Sequence, residues 1–370
     1  MSRYTDVYRV PDTGTPPPLP IVDWKRVGLN APVPITGAYD GPDAPLPKSD
    51  VVVLTWTSAE WSALDHVFAN SQSTRRLADR EWEHAWHTYS RSASGAATDN
   101  PGAPLWGLYR LLDIRTTTEK TLRVIVFKCD AHLAHPPWLD GLARMIGQIL
   151  DETGASSIWS IGTAGGSRLD VRLGDVVITN AAHIQLQKPN NMASTINNGT
   201  FTGKTFPSTK LFDRVQEQLF FDMTTVVTHP KLENMLHQLH IKDAASASLT
   251  LDDLVNEPLS PGNLGQSRVL PMESTPLLTT DYYYIASGTD AAKWAVLEMD
   301  DAVIAWVAEQ KGRQYAFARN ISDPLVPATA HGQAIDEAIR GDWSGLVYNN
   351  FGFYTSFNGA LATWAAITAM

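Results

Sequence analysis

Ile158-Trp159-Ser160-Ile161-Gly162-Thr163-Ala164-Gly165-Gly166-Ser167, followed five residues later by Leu173-Gly174-Asp175-Val176-Val177-Ile178-Thr179, is the stretch on which the reading of this chain turns. Residues 158–161 and 176–179 are short apolar runs suited to strands, joined by a glycine-containing turn. Glycines just past a strand let the backbone approach a ligand, and their exposed N–H groups can cradle a hydroxyl, a base or an anion. A plain tight turn accounts for the same residues equally well. The spacing is neither that of a dinucleotide fingerprint opening a helix nor that of a P-loop, because no Gly-Lys-Ser/Thr follows.

Outward from this stretch, apolar runs alternate with helical patterns. Residues 51–54, 122–128, 282–286 and 315–321 read as strands. Residues 138–150 carry a helical apolar stripe, residues 303–308 lie on a helix ending near Gly312, and residues 356–367 read as a closing helix capped by Thr355 or Ser356. Strands alternating with helices argue for an α/β domain with a largely parallel or mixed sheet.

Ten prolines fall within residues 1–48, which predicts an extended or partly disordered arm ahead of a domain over 49–370. Residues 185–280, rich in Asn, Ser, Thr and Pro, read as a long insertion holding helices near 210–221 and 229–240. Residues 70–105 become polar and loop-like towards their C-terminal end.

Composition narrows the function. The 370 residues hold 29 Lys plus Arg against 39 Asp plus Glu, a formal charge of −10, without basic runs. That balance disfavours nucleic-acid binding through phosphates. The single Cys129 excludes a disulfide framework or a multi-cysteine metal site. The N-terminus lacks the apolar stretch of a signal peptide, and the apolar-leaning run at 359–370 is too short to span a bilayer. The expectation is a soluble, cytoplasmic protein with no membrane partner.

Four blocks carry candidate chemistry. Glu60 follows the strand at 51–54 and is flanked by Trp56 and Trp61, where α/β sheets place ligands; it reads either as a general base or as a helix-capping carboxylate. The glycine turn at 162–166 is the second block. The third, Ser287-Gly288-Thr289-Asp290 with Leu297-Glu298-Met299-Asp300-Asp301, reads either as N-terminal capping or as an acid beside a thioether suited to a sugar. The fourth, Arg319-Asn320-Ile321-Ser322-Asp323-Pro324, ends a strand in an acid that either starts a turn or faces a pocket. His132 and His135 are two imidazoles without a third ligand and read as structural.

In this order, the four blocks resemble the purine nucleoside phosphorylase/nucleosidase superfamily, and most closely its methylthioadenosine/S-adenosylhomocysteine nucleosidase branch. The resemblance rests on residues 51–64, 158–179, 284–290 and 296–323. It implies an α/β/α sandwich with a central mixed sheet. By that resemblance Glu60 activates the attacking water, and Thr163, Ala164 and Gly165 line the base and the anomeric side of the sugar. Ile285 falls where main-chain groups grip the base. Met299 packs on the ribose, and Asp300 stands in place of the glutamate that binds ribose hydroxyls, with Asp301 beside it. Asp323 falls on the aspartate that bonds purine N7.

The implied activity is hydrolysis of a purine nucleoside or nucleotide, without cofactor or metal, in a homo-oligomer. A phosphate-dependent phosphorylase is the second reading and a non-catalytic nucleoside binder the third. The absence of an arginine-bearing Gly/Ser-rich loop after residue 128 favours hydrolysis over phosphorolysis.

Overall fold

The computed structural model describes residues 16–37, 39–90, 106–286 and 291–370. The Ser287–Asp290 part of the third block and the first part of the proline-rich arm lie outside the described residues. Among the described residues, one mixed sheet of 13 strands forms the centre. Its middle is parallel: Thr121–Cys129, Val51–Thr55, Ser157–Gly165 and Gln314–Asp323 lie side by side in that order. Gly107–Arg115 flanks them antiparallel on one side and Val176–Thr179 on the other.

These strands read as runs of Val, Ile and aromatic residues because both faces are covered. Val51 and Val53 face one apolar core while Val52 and Leu54 face a second; Val124 and Val126 alternate with Ile125 and Phe127 in the same way. The helix Ser58–Ala69 and the C-terminal helix Glu337–Thr368 cover the first face. Trp138–Thr153 and Asp301–Gln310 cover the second. The result is the α/β/α sandwich with a central mixed sheet that the resemblance implied.

The sheet branches at one residue. Gly165 pairs with Asp323 on one strand and with Leu297 on another, and Leu297-Glu298 continues through Leu277–Thr280 to Ala181–Gln185. A parallel sheet that splits at its carboxyl end leaves a crevice there, which is where such sheets bind ligands.

Several expectations are corrected. Residues 16–48 are no loose arm wherever they are described: Leu19, Val22, Trp24 and Val27 are buried in the first core, the Trp24 ring lies 4.3 Å from that of Trp364, and Val33–Pro34 adds to the sheet edge. The closing helix begins nineteen residues earlier than residue 356, at Glu337, capped by the Asp336 carboxylate accepting from the Ala338 N–H at 2.8 Å. Residues 282–286 are not a strand. The strand is Leu277–Thr280, and the Thr280 hydroxyl donates to the Tyr282 carbonyl at 2.6 Å, turning the chain out of the sheet. The 185–280 segment does hold helices, Leu211–Gln218 and His229–Lys242, but its two ends supply strands to the main sheet.

Candidate active site

Four chain segments meet at the branch point around a cavity of about 510 Å³. Glu60, Thr163, Ala164, Gly165, Met299, Asp300 and Asp323 all line it. Ile285 does not: its side chain packs into the first core beside Gly341, and its carbonyl accepts from Arg340 at 3.4 Å. Loss of the expected strand explains the change, since Tyr282, Tyr283 and Tyr284, instead of Ile285, reach the cavity.

Glu60 fulfils both of its possible readings. It is the third helical residue of a capping box with Thr57, which fixes where the helix Ser58–Ala69 starts. Its Oε2 accepts from Thr55 Oγ1 at 3.1 Å, Trp56 N at 3.0 Å and Thr57 N at 2.9 Å. Its Oε1 accepts from the Thr163 N–H at 2.8 Å and hydroxyl at 2.7 Å. The buried carboxylate is thus tied to the glycine turn and held at the cavity wall. Gly162 is obligatory beneath it: a Cβ there would lie 2.4 Å from the Arg319 guanidinium and 3.0 Å from Glu60 Oε1.

Arg319 lines the same cavity and was not singled out from the sequence. It is buried in the strand Gln314–Asp323, where its Nε donates to Asp301 Oδ2 at 2.7 Å and Nη2 to Ser160 Oγ at 2.7 Å and Glu298 Oε2 at 3.1 Å. Asp301 accepts a second bond through its other oxygen, making the pair bidentate. An arginine among apolar strand residues was the available signal, because an unpaired cation is almost never fully buried.

The acidic cluster divides its tasks unexpectedly. Glu298, not Asp300, accepts the N–H groups that open the helix Asp301–Gln310, at 2.6 Å from Asp300 N and 3.0 Å from Asp301 N. Burial and the neighbouring Asp301 push the Glu298 carboxyl upward, against the pull of Arg319. Asp300 is left free to turn away from its own helix. Its Oδ1 accepts from the Leu133 N–H at 2.9 Å, and its Oδ2 lies 3.3 Å from His132 Nε2. Burial raises Asp300 to about 7 and lowers His132 to about 4.

At the other end, Asp323 Oδ2 accepts from the Tyr283 hydroxyl at 3.0 Å and from Ser344 Oγ at 3.2 Å, and Oδ1 accepts from Ser322 Oγ at 2.6 Å. Burial raises its pKa, which favours a protonated carboxyl able to donate a hydrogen bond. A Cβ on Gly165 would lie 3.4 Å from Asp323, while Gly162 faces Glu60. The two carboxyls therefore flank positions three residues apart on one strand, roughly 10 Å of chain.

Fold and site together define an α/β/α sandwich protein with a carboxylate-lined cleft at the carboxyl ends of its parallel strands. The profile of the Phosphorylase superfamily matches residues 142–341, more than half of the chain, and the chain belongs to that superfamily. No curated protein sequence matches it.

Among solved structures, it is similar to the 5′-methylthioadenosine/S-adenosylhomocysteine nucleosidase of Neisseria meningitidis in complex with methylthio-immucillin-A. The identity is 12%, the TM-score 0.44, and the alignment covers 86% of this chain and 99% of that one. The Helicobacter pylori enzyme of the same name, with butyl-thio-DADMe-Immucillin-A, is 9% identical with a TM-score of 0.46, covering 87% of this chain and 99% of that one. The futalosine hydrolase of Helicobacter pylori is also 9% identical, with a TM-score of 0.44 and coverage of 86% and 97%.

Proposed function

We propose that the protein hydrolyses the N-glycosidic bond of a purine nucleoside, with Glu60 activating water and Asp323 protonating the leaving base. The observation carrying this reading is that two carboxyls 263 positions apart in sequence line one cavity, each held by its own set of hydrogen-bond donors. Glu60 accepts five hydrogen bonds from fixed donors, which suits a group kept as an acceptor. Asp323 is pushed upward by burial, which suits a group that gives a proton.

Cleavage of an N-glycosidic bond passes through an oxocarbenium-like sugar, so the reaction needs a neutralised leaving group and a nucleophile on the opposite side. Water attacks the anomeric carbon as its proton passes to Glu60; the C–N bond pair moves into the base, which takes the Asp323 proton at N7. Met299 offers a thioether surface to the sugar face, and Asp300 accepts from the ribose hydroxyls. The acid-rich floor also favours the positive charge that develops on the sugar.

Hydrolysis of an unphosphorylated nucleoside is favoured over phosphorolysis or a nucleotide substrate by the charge of the lining. Among the described residues, Arg319 is the only lysine or arginine on the cavity wall, and its guanidinium is engaged by Asp301 and Glu298. Lys128 is not on the cavity wall, and its ammonium is bonded to the Asp130 carboxylate and to the Cys129 carbonyl. A phosphate entering the cavity would meet four carboxyls and no uncommitted cation.

Incubation with purine nucleosides and nucleotides, with and without inorganic phosphate, tests the reading. Free base and free ribose are expected from nucleosides without phosphate. Formation of ribose 1-phosphate, or no base release from any compound, would overturn it.

A further inference from the structure

The loop between the strand Thr121–Cys129 and the helix Trp138–Thr153 places an imidazole in the cavity wall that the mechanism above does not use. His132 is largely buried, with 22% of its side chain exposed, and lines the cavity next to Asp300. Its Nδ1 accepts from the Ala134 N–H at 3.0 Å, so in the neutral ring the proton sits on Nε2. Nε2 lies 3.3 Å from Asp300 Oδ2, an ion-pair approach, and the adjacent Leu133 N–H donates to the other oxygen of the same carboxyl.

The loop is itself pinned. Trp56 Nε1 donates to the Ala131 carbonyl at 3.0 Å, Lys188 Nζ to the Ala134 carbonyl at 2.6 Å, and Asn191 Nδ2 to the Leu133 carbonyl at 3.0 Å. Three side chains from two distant segments thus fix a short loop that brings the Leu133 N–H and the His132 imidazole to Asp300. A carboxylate that short, buried and without a partner on its own helix, needs outside donors to hold one orientation.

We infer that His132 is a positioning residue that, with the Leu133 N–H, orients Asp300 for recognition of a ribose diol and sets the preference for ribosides over 2′-deoxyribosides. This inference rests on the nucleosidase reading for the placement of the sugar at Asp300. Without the imidazole, Asp300 keeps only the Leu133 tether and swings within the cavity. A riboside then loses part of its hold, whereas a 2′-deoxyriboside, lacking the hydroxyl that Asp300 selects, loses little. The imidazole also occupies the space into which a longer side chain at position 300 would extend.

Titration calorimetry with adenosine, inosine and guanosine and their 2′-deoxy counterparts is the test, run on the full chain in a Glu60→Gln background that suppresses turnover, alone and with His132→Ala, His132→Gln, Asp300→Glu or the pair His132→Ala/Asp300→Glu added. Thermal melts establish that each variant is folded. Riboside affinity is expected to fall several-fold, up to about tenfold, in His132→Ala, as for loss of one close polar contact, with 2′-deoxyriboside affinity unchanged. His132→Gln, which keeps a donor and an acceptor, should recover most of the difference. Asp300→Glu alone should weaken riboside binding, and the double variant should regain it as the longer acid fills the vacated space.

Equal losses for ribosides and deoxyribosides, or no loss in His132→Ala, would overturn the inference while leaving wild-type base release intact. Binding of neither class in the Glu60→Gln background, together with no base release by the wild-type chain, would defeat the nucleosidase reading and the inference together.

Discussion

The two ends of the cavity are built differently. The Glu60 end is made from strand termini and the first residues of helices: Thr55, Glu60, Ser160, Thr163, Glu298, Asp301 and Arg319 form one connected, buried network. The Asp323 end is closed by a loop and a long helix, through Tyr283, Ser344, Tyr348 and Phe353. Tyr283 shows the contrast directly, since the residue is 49% exposed while its hydroxyl reaches inward to Asp323 and Ser344. A network held by the sheet itself has a fixed geometry, which the proposed bond cleavage needs. Side chains on a loop and a helix can be exchanged to suit different ligands without disturbing that geometry.

Breaking the first end should have the largest consequences. Glu60→Gln keeps the size of the capping side chain but removes the base, and base release is expected to fall about a hundred- to ten-thousand-fold by steady-state assay. Arg319→Met strands Asp301 and Glu298 without a cation. It should destabilise the fold by about 3–5 kcal/mol in denaturant titration, the usual cost of breaking a buried pair. At the second end, Asp323→Asn should lower base release by about a hundredfold, at the lower bound for a lost proton donor, with the melting temperature nearly unchanged.

Smaller effects sharpen the comparison. Asp300 carries a folded-state pKa of about 7 against an ordinary 3.8. The native chain therefore retains a proton there that the unfolded chain releases, and this group's contribution to stability falls as pH rises from about 4 to about 7. Asp300→Asn should flatten the dependence of melting temperature on pH across that window; an unchanged slope would contradict the assigned burial effect. Tyr283→Phe removes one of three hydroxyl donors to Asp323, a loss of about 1 kcal/mol, and should slow base release only several-fold.

Legibility in the sequence followed the same divide. Thr163 and Asp323 sit near the ends of strands whose apolar runs are plain, and Glu60 in the first turn of the helix that follows one, so their neighbourhood could be read from local pattern. Ile285 was misplaced because three consecutive tyrosines resemble a strand, whereas the Thr280 hydroxyl bond to Tyr282 turns that segment into a loop. The C-terminal helix was read short for another reason. From Phe351 to Thr368 every residue is buried, so the helix shows no polar face there, and Gly341, Gly345 and Gly352 weaken the pattern upstream.

The sequence by itself determined the alternation of strand and helix, the burial of the central strands on both faces, and the presence of acids at strand ends. Periodicity of 2 or 3.6 and short capping motifs are local properties, written within a few residues. Only the tertiary structure decided that Arg319 answers Asp301 and Glu298, that His132 meets Asp300, and that Tyr283 and Ser344 share Asp323. Those pairings join residues 18 to 168 positions apart. Their geometry depends on where the sheet branches at Gly165, a property of strand pairing that no window of sequence contains.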